Sequence, residues 1–151
     1  MRDNSAYQTV DSCLPCPAGT YSTLEDTQCR RCEPGHLCYG KTSRKLPTSV
    51  ALHRGELCPK GHYCPAGSRA PTACPEGAYL DRYGAAALTD CLLCDADSYN
   101  DLTGQSGCRP CGAYATADEG ATACQCTGAF RVFSHVDASC RCSSGYDSVD
   151  D

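Results

Sequence analysis

The sequence predicts a small disulfide-rich fold, mostly irregular with short β-hairpins, drawn out as an elongated tandem array of cysteine-rich modules with very little helix. Three observations predict it. Sixteen of the 151 residues are Cys, the density of a disulfide scaffold. Leu, Val and Phe together number only 18, and there is no Ile and no Trp. The element Cys-Pro-x-Gly-x-Tyr recurs, as "CPAGTY" (16–21), "CPKGHY" (58–63) and "CPEGAY" (74–79). Burying a Leu-sized side chain is worth roughly 1.5–3 kcal/mol, and ordering one backbone residue costs about 1–2 kcal/mol. So few large apolar residues cannot order the chain around one core, whereas each disulfide contributes typically ~2–4 kcal/mol.

The elements follow in chain order. Residues 1–12 form an N-terminal segment without the apolar stretch of a signal peptide. Module 1 spans 13–31: after Cys16, Pro17 fixes φ near −65°, Gly19 supplies the positive φ of a tight turn, and Tyr21 begins a strand that returns through "TLEDTQ". A divergent module spans 32–73. It holds the degenerate "CEPGHL" and the long insert "YGKTSRKLPTSVALHRGEL" (39–57). Module 3 spans 74–93, and "YGAAALTDCLL" (83–93) is the one place where a short helical turn is expected. Residues 94–125 hold a pair of loops, opened by "CDADSY" and by Cys111; 126–142 form a C-terminal loop, and 143–151 an acidic tail. Each loop reads as an irregular hairpin whose Tyr ring covers a disulfide. Short joints separate the loops: Cys13-x2-Cys16, Cys29-x2-Cys32, Cys91-x2-Cys94 and Cys108-x2-Cys111, then Cys124-Gln-Cys126 and Cys140-Arg-Cys142.

"CLLCDADSYNDLTGQSGCRPCGAYATADEGATACQC" (91–126) resembles the ephrin-receptor-like cysteine-rich module, also called GCC2/GCC3. "CLPCPAGTYSTLEDTQCRRC" (13–32) resembles the same module and the first loop of a tumour-necrosis-factor-receptor repeat. The resemblance covers about two thirds of the chain. The middle departs from it, with Cys38, Cys64 and the insert as additions. It implies a non-enzymatic role in extracellular stalks, adhesion proteins or receptor ectodomains.

Loop phasing suggests the bridges. If the second Cys of a joint opens a loop, the first Cys of the next joint closes it. That pairs Cys16–Cys29, Cys74–Cys91, Cys94–Cys108, Cys111–Cys124 and Cys126–Cys140. Cys32, Cys38, Cys58 and Cys64 allow three pairings, of which the crossed set Cys32–Cys58 and Cys38–Cys64 is favoured. Cys13 and Cys142 then pair with flanking modules outside the chain.

Rival chemistries are weaker. Cys13/Cys16/Cys29/Cys32 and Cys91/Cys94/Cys108/Cys111 have zinc-ribbon spacing, which keeps a zinc-binding protein as a remote alternative. The other eight cysteines form no quartet, and the Pro-x-Gly-x-Tyr element recurs where no Cys-x2-Cys exists. No joint precedes a helical pattern, as a redox pair requires. His36, His53, His62 and His135 are scattered, with His36 and His62 at equivalent turn positions. "DADSYND" (95–101) lacks the Gly and Glu of a calcium loop. The expectation is no enzyme, no catalytic residue, no metal and no cofactor.

Charge points to partners. The chain carries −5 overall, yet residues 30–69 hold eight Lys/Arg against Glu33 and Glu56, a local balance of +6. Many cysteines place the chain outside the cell or in a secretory lumen, where a cell-surface assembly is the natural setting and nucleic acid is not a natural partner. No run is long enough for a membrane span. The chain reads as a structural and interaction module: a stalk or an adhesion or assembly segment of a larger secreted or membrane-anchored protein. A receptor ectodomain binding a protein ligand is the alternative. Expected partners are flanking modules, neighbouring subunits or an extracellular assembly, with an anionic glycan as a further class. Lys41, Arg44, Lys45 and Arg54 are the candidate partner-binding residues, with the acidic "DADSYND" and "YDSVDD" as their counterparts.

Overall fold

A computed structural model describes residues 13–146. The segment 1–12 and residues 147–151 of the acidic tail, including most of "YDSVDD", lie outside the described residues. Seven two-stranded antiparallel sheets follow one another. They pair β1 (Thr20–Tyr21) with β2 (Arg30–Arg31), β3 (His36–Cys38) with β4 (Gly55–Leu57), and β5 (His62–Tyr63) with β6 (Thr72–Ala73). The series continues with β7 (Ala78–Tyr79) and β8 (Leu92–Leu93), β9 (Ser98–Tyr99) and β10 (Arg109–Pro110), β11 (Ala115–Thr116) and β12 (Gln125–Cys126). It closes on β13 (Arg131–Ser134) and β14 (Ser139–Cys142). Each sheet defines a unit opened by a cysteine: units 1 to 7 start at Cys16, Cys32, Cys58, Cys74, Cys94, Cys111 and Cys126. A 3-10 turn, Leu88–Asp90, falls within the stretch expected to turn. One helical turn, α1 (Val50–His53), falls in the basic insert, where none was expected. One turn is too short to leave a periodic trace. It exists because Ser49 caps its start and Arg54, at φ 58°, closes its end.

Seven disulfides form. Five join Cys16–Cys29, Cys74–Cys91, Cys94–Cys108, Cys111–Cys124 and Cys126–Cys140. The crossed pairing of the middle four does not form: the bridges are Cys32–Cys38 and Cys58–Cys64. The turn brings the sixth residue after each opening cysteine back beside it, with Cα atoms 6.0 and 5.8 Å apart in units 2 and 3. Leu80 fills the same place in unit 4 and packs on Cys74. In units 2 and 3, Gly55 and Pro71 stand where the closing cysteine sits in units 1, 4 and 5. These two hairpins are therefore held at the turn, not across their ends. Cys13 and Cys142 form no bridge within the chain. Both zinc-type quartets are divided among separate bridges, Cys29 to Cys16 and Cys108 to Cys94 for instance.

The units are bonded to one another by a repeated set of four backbone hydrogen bonds. Between units 3 and 4, Cys74 N–H donates to Gly61 O (2.8 Å) and Gly61 N–H to Leu80 O (2.8 Å). Gly84 N–H donates to Cys58 O (2.8 Å), and Cys64 N–H to Ala85 O (2.9 Å). The equivalent four recur at the joints of units 1–2, 2–3, 4–5 and 5–6. Backbone groups that would otherwise need water are thereby paired between neighbours.

Contact also reaches two units ahead. A Cβ on Gly19 would lie 2.5 Å from the Gly67 carbonyl, and one on Gly35, Gly61 or Gly77 would overlap the carbonyl of Gly84, Gly104 or Gly120. Odd and even units thus stack as two rows. The small cores sit between units: Tyr21 packs on Cys32 and Cys38, and Leu37 on Cys58 and Cys64. Tyr63 packs against the cluster of Cys74, Leu80 and Ala85. In units 1–3 the side chain that follows the turn thus covers the bridge or core of the next unit, not its own. Unit 7 joins unit 5 through side chains instead, with Phe133 edge-on to the buried Tyr99 at 5.3 Å.

Candidate functional site

The basic insert folds onto units 1 and 2. Tyr39 N–H donates to Arg54 O (2.9 Å), as does the Thr42 hydroxyl (2.8 Å). Thr42 is buried and bridges to Tyr21 of unit 1. Lys41 N–H reaches Cys16 O (2.8 Å). The insert is therefore a fixed platform. Beneath it the Tyr39 hydroxyl donates to Glu56 at 2.6 Å. Burial, reinforced by the Glu56 carboxylate, pushes this phenol up to about 12.

Four expected site residues ride on this platform, all exposed. Lys45 stands 3.8 Å from Glu33, a loose surface pair of the kind worth about 0–1 kcal/mol. Arg44 lies 3.2 Å from a ring nitrogen of His53. Arg54 Nε donates to Gly40 O at 3.5 Å. Lys41 (φ 55°) and Arg54 are also backbone corners, so their side chains are presented by left-handed turns.

The stacking adds two cations from outside the insert. Arg31, on β2, donates to Ala66 O (3.3 Å) across the unit 1–unit 3 contact. The Cβ of Arg69 lies 3.9 Å from where a Cβ on Gly19 would sit. Among the described residues Arg31, Lys41, Arg44, Arg54 and Arg69 have no carboxylate within 4.0 Å, whereas Arg30 and Lys60 pair with Asp26 and Asp81 at 2.7 Å. In units 4–7, Arg82, Arg109 and Arg141 are matched to Asp90, Asp101 and Asp137. Arg131 lies over the Tyr114 ring at 4.0 Å. The charge count had flagged the whole segment 30–69; only the stack shows that Arg31 and Arg69 both lie at the contact between units 1 and 3.

His36 and His62 place Nδ1 3.3 and 2.9 Å from the carbonyls of Pro34 and Lys60, so each ring braces its own turn. Among the described residues no three His, Cys, Asp or Glu side chains are grouped to hold a metal. No helix there is long and apolar enough to cross a membrane.

No family model matches the chain. Curated relatives do. The chain is 29% identical over 103 aligned residues to signal peptide, CUB and EGF-like domain-containing protein 2 of Danio rerio, covering 66% of this chain and 9% of that protein. It is 27% identical over 150 aligned residues to sushi, von Willebrand factor type A, EGF and pentraxin domain-containing protein 1 of Mus musculus, covering 69% of this chain and 4% of that protein. The Rattus norvegicus protein of the same name matches equally. The chain spans less than a tenth of the length of these relatives. With seven disulfides, these likenesses make it a cysteine-rich module of extracellular type.

Proposed function

We propose that the chain is a non-enzymatic spacer and assembly module, a stalk or adhesion segment of a larger secreted or membrane-anchored protein. Its units are of the ephrin-receptor-like kind, a reading supported by the Cys-Pro-x-Gly-x-Tyr phasing. The observation that carries the function is the repeated set of inter-unit hydrogen bonds, the same four at five successive joints. Bridges alone would give beads on a string. Bonded joints and two-unit stacking give a strut that holds its two ends at a fixed separation. Lys41, Arg44, Lys45 and Arg54 face outward on it to meet an acidic protein surface.

Spin labels introduced as non-canonical residues at Leu24 and Val136, both fully or nearly fully exposed, test the strut. Pulsed dipolar spectroscopy of the labelled chain diluted into unlabelled protein should return one narrow distance distribution, unchanged by salt. A broad distribution means freely jointed units and rules the spacer role out.

A further inference from the structure

We infer that the basic face of units 1–3 docks, head to tail, on the acidic face of units 5 and 6 of a second copy of this chain. The inference rests on the module reading above but is tested separately from it.

The two faces are complementary, and each lacks a partner among the described residues. Arg31, Lys41, Arg44, Arg54 and Arg69 are exposed, without a carboxylate in reach among the described residues. Asp95, Asp97, Asp118 and Glu119 are exposed with no Lys, Arg or His within 4.0 Å among those residues. Unit 6 contains no Lys or Arg at all. Asp97 and Asp118 line one polar cleft, with Thr116 and Gln125 on its walls, which suits an inserted guanidinium with its five donors.

The faces do not pair within one molecule. Unit 3 stacks on unit 5 through Gly61 and Gly104, yet none of these five cations has a carboxylate of units 5 and 6 within 4.0 Å among the described residues. The proposed pairing is therefore intermolecular and between unlike surfaces. Such contacts run on as open strands unless the rotation closes a ring, an arrangement suited to an assembly module. A long polyanion fits less well: the chain is −5 overall, and a polymer laid on units 1–3 would run into the repulsion of units 5 and 6.

Charge reversal tests this in the full chain, with free thiols alkylated so that only salt-reversible association is counted. Sedimentation velocity should show concentration-dependent oligomers that dissociate between about 0.01 M and 1 M salt, as the screening length falls from ~30 to ~3 Å. The double variants Arg31→Glu/Arg69→Glu and Asp118→Lys/Glu119→Lys should each be monomeric at low salt, with the seven bridges retained by non-reducing peptide mapping. Mixed together they should associate again, because each supplies the face the other has lost. A monomeric parent, a variant that still self-associates, or a mixture that stays monomeric overturns the inference. Heparin serves as the competing probe: binding that needs Arg31 and Arg69 in a parent that stays monomeric would assign the face to sulfated glycan. None of these failures alters the spin-label distance, so the spacer reading stands or falls independently.

Discussion

Gly61 has φ +75° and faces the carbonyl of Gly104 with no room for a Cβ. Asp97 and Tyr114 occupy the equivalent place in units 5 and 6, at φ 62° and 61°. Among the described residues no glycine is packed against either of these two positions. Asp tolerates the left-handed conformation better than most residues, and the Asp97 carboxylate accepts from Ala117 N–H at 3.3 Å. "CPKGHY" thus decays to "CDADSY" where the stacking stops. Gly61→Ala should lower stability by at least the roughly 1–3 kcal/mol of backbone strain, read as a fall in the unfolding midpoint of the oxidised protein. Asp97→Gly should leave the midpoint nearly unchanged; equal loss at both sites would refute the stacking account. Tyr39 offers a pH test. Its folded pKa is raised, so the stabilising contribution is complete below the unfolded value near 10 and is lost as pH rises towards 12. Tyr39→Phe should remove one late-titrating tyrosinate from the absorbance curve at alkaline pH and flatten the stability loss there.

At the scale of the element, units 2 and 3 exchange a bridge across the hairpin for one inside the turn. Cys32–Cys38 and Cys58–Cys64 span 6 residues each, against 17 for Cys74–Cys91. Loop-closure entropy assigns ~2 kcal/mol to the short bridges and ~3 kcal/mol to the long one. Cys38→Ser/Cys32→Ser should therefore cost less stability than Cys74→Ser/Cys91→Ser in denaturant unfolding. In a Cys38→Ser single variant, Cys32 should be recovered as a free thiol by peptide mapping. Recovery of a Cys32–Cys58 peptide would show that the crossed pairing is accessible. The short bridges also free the ends of the hairpins. That is what lets the insert leave after Cys38 and return as β4 without breaking the joint to unit 3.

For the whole molecule, contacts confined to neighbours and next neighbours make a quasi-one-dimensional object. Small-angle scattering should give a radius of gyration well above the ~15 Å of a compact chain of this length. A compact value would mean that units far apart in sequence touch. Burial is graded along the array: most of the fully buried side chains, among them Tyr99, Leu37, Leu80 and Asn100, belong to units 2–5, while Cys124 is the buried residue of unit 6. Amide exchange should follow this gradient, slowest in units 2–5, and uniform protection would contradict it.

Residue chemistry alone determined the class and much of the local plan. Sixteen cysteines with few large apolar side chains demand cross-links, and Pro followed by Gly after a cysteine demands a turn. Both are short-range consequences of composition and backbone sterics, legible one unit at a time. The helical turn at Val50–His53 was not legible, because four residues carry no period. The middle bridges were read wrongly for a related reason: regular phasing was extended across Gly55 and Pro71, where the closing cysteine is missing. Tertiary structure alone decided how units meet. The shared hydrogen bonds run between main-chain groups, which every residue but proline carries in full, and so leave no residue-type signature. The glycine contacts pair positions more than forty residues apart, as Gly61 with Gly104, and the placing of Arg31 and Arg69 at one contact depends on that stacking. A sequence records which side chains are present, whereas only the packed array fixes which backbones approach closely enough to exclude one.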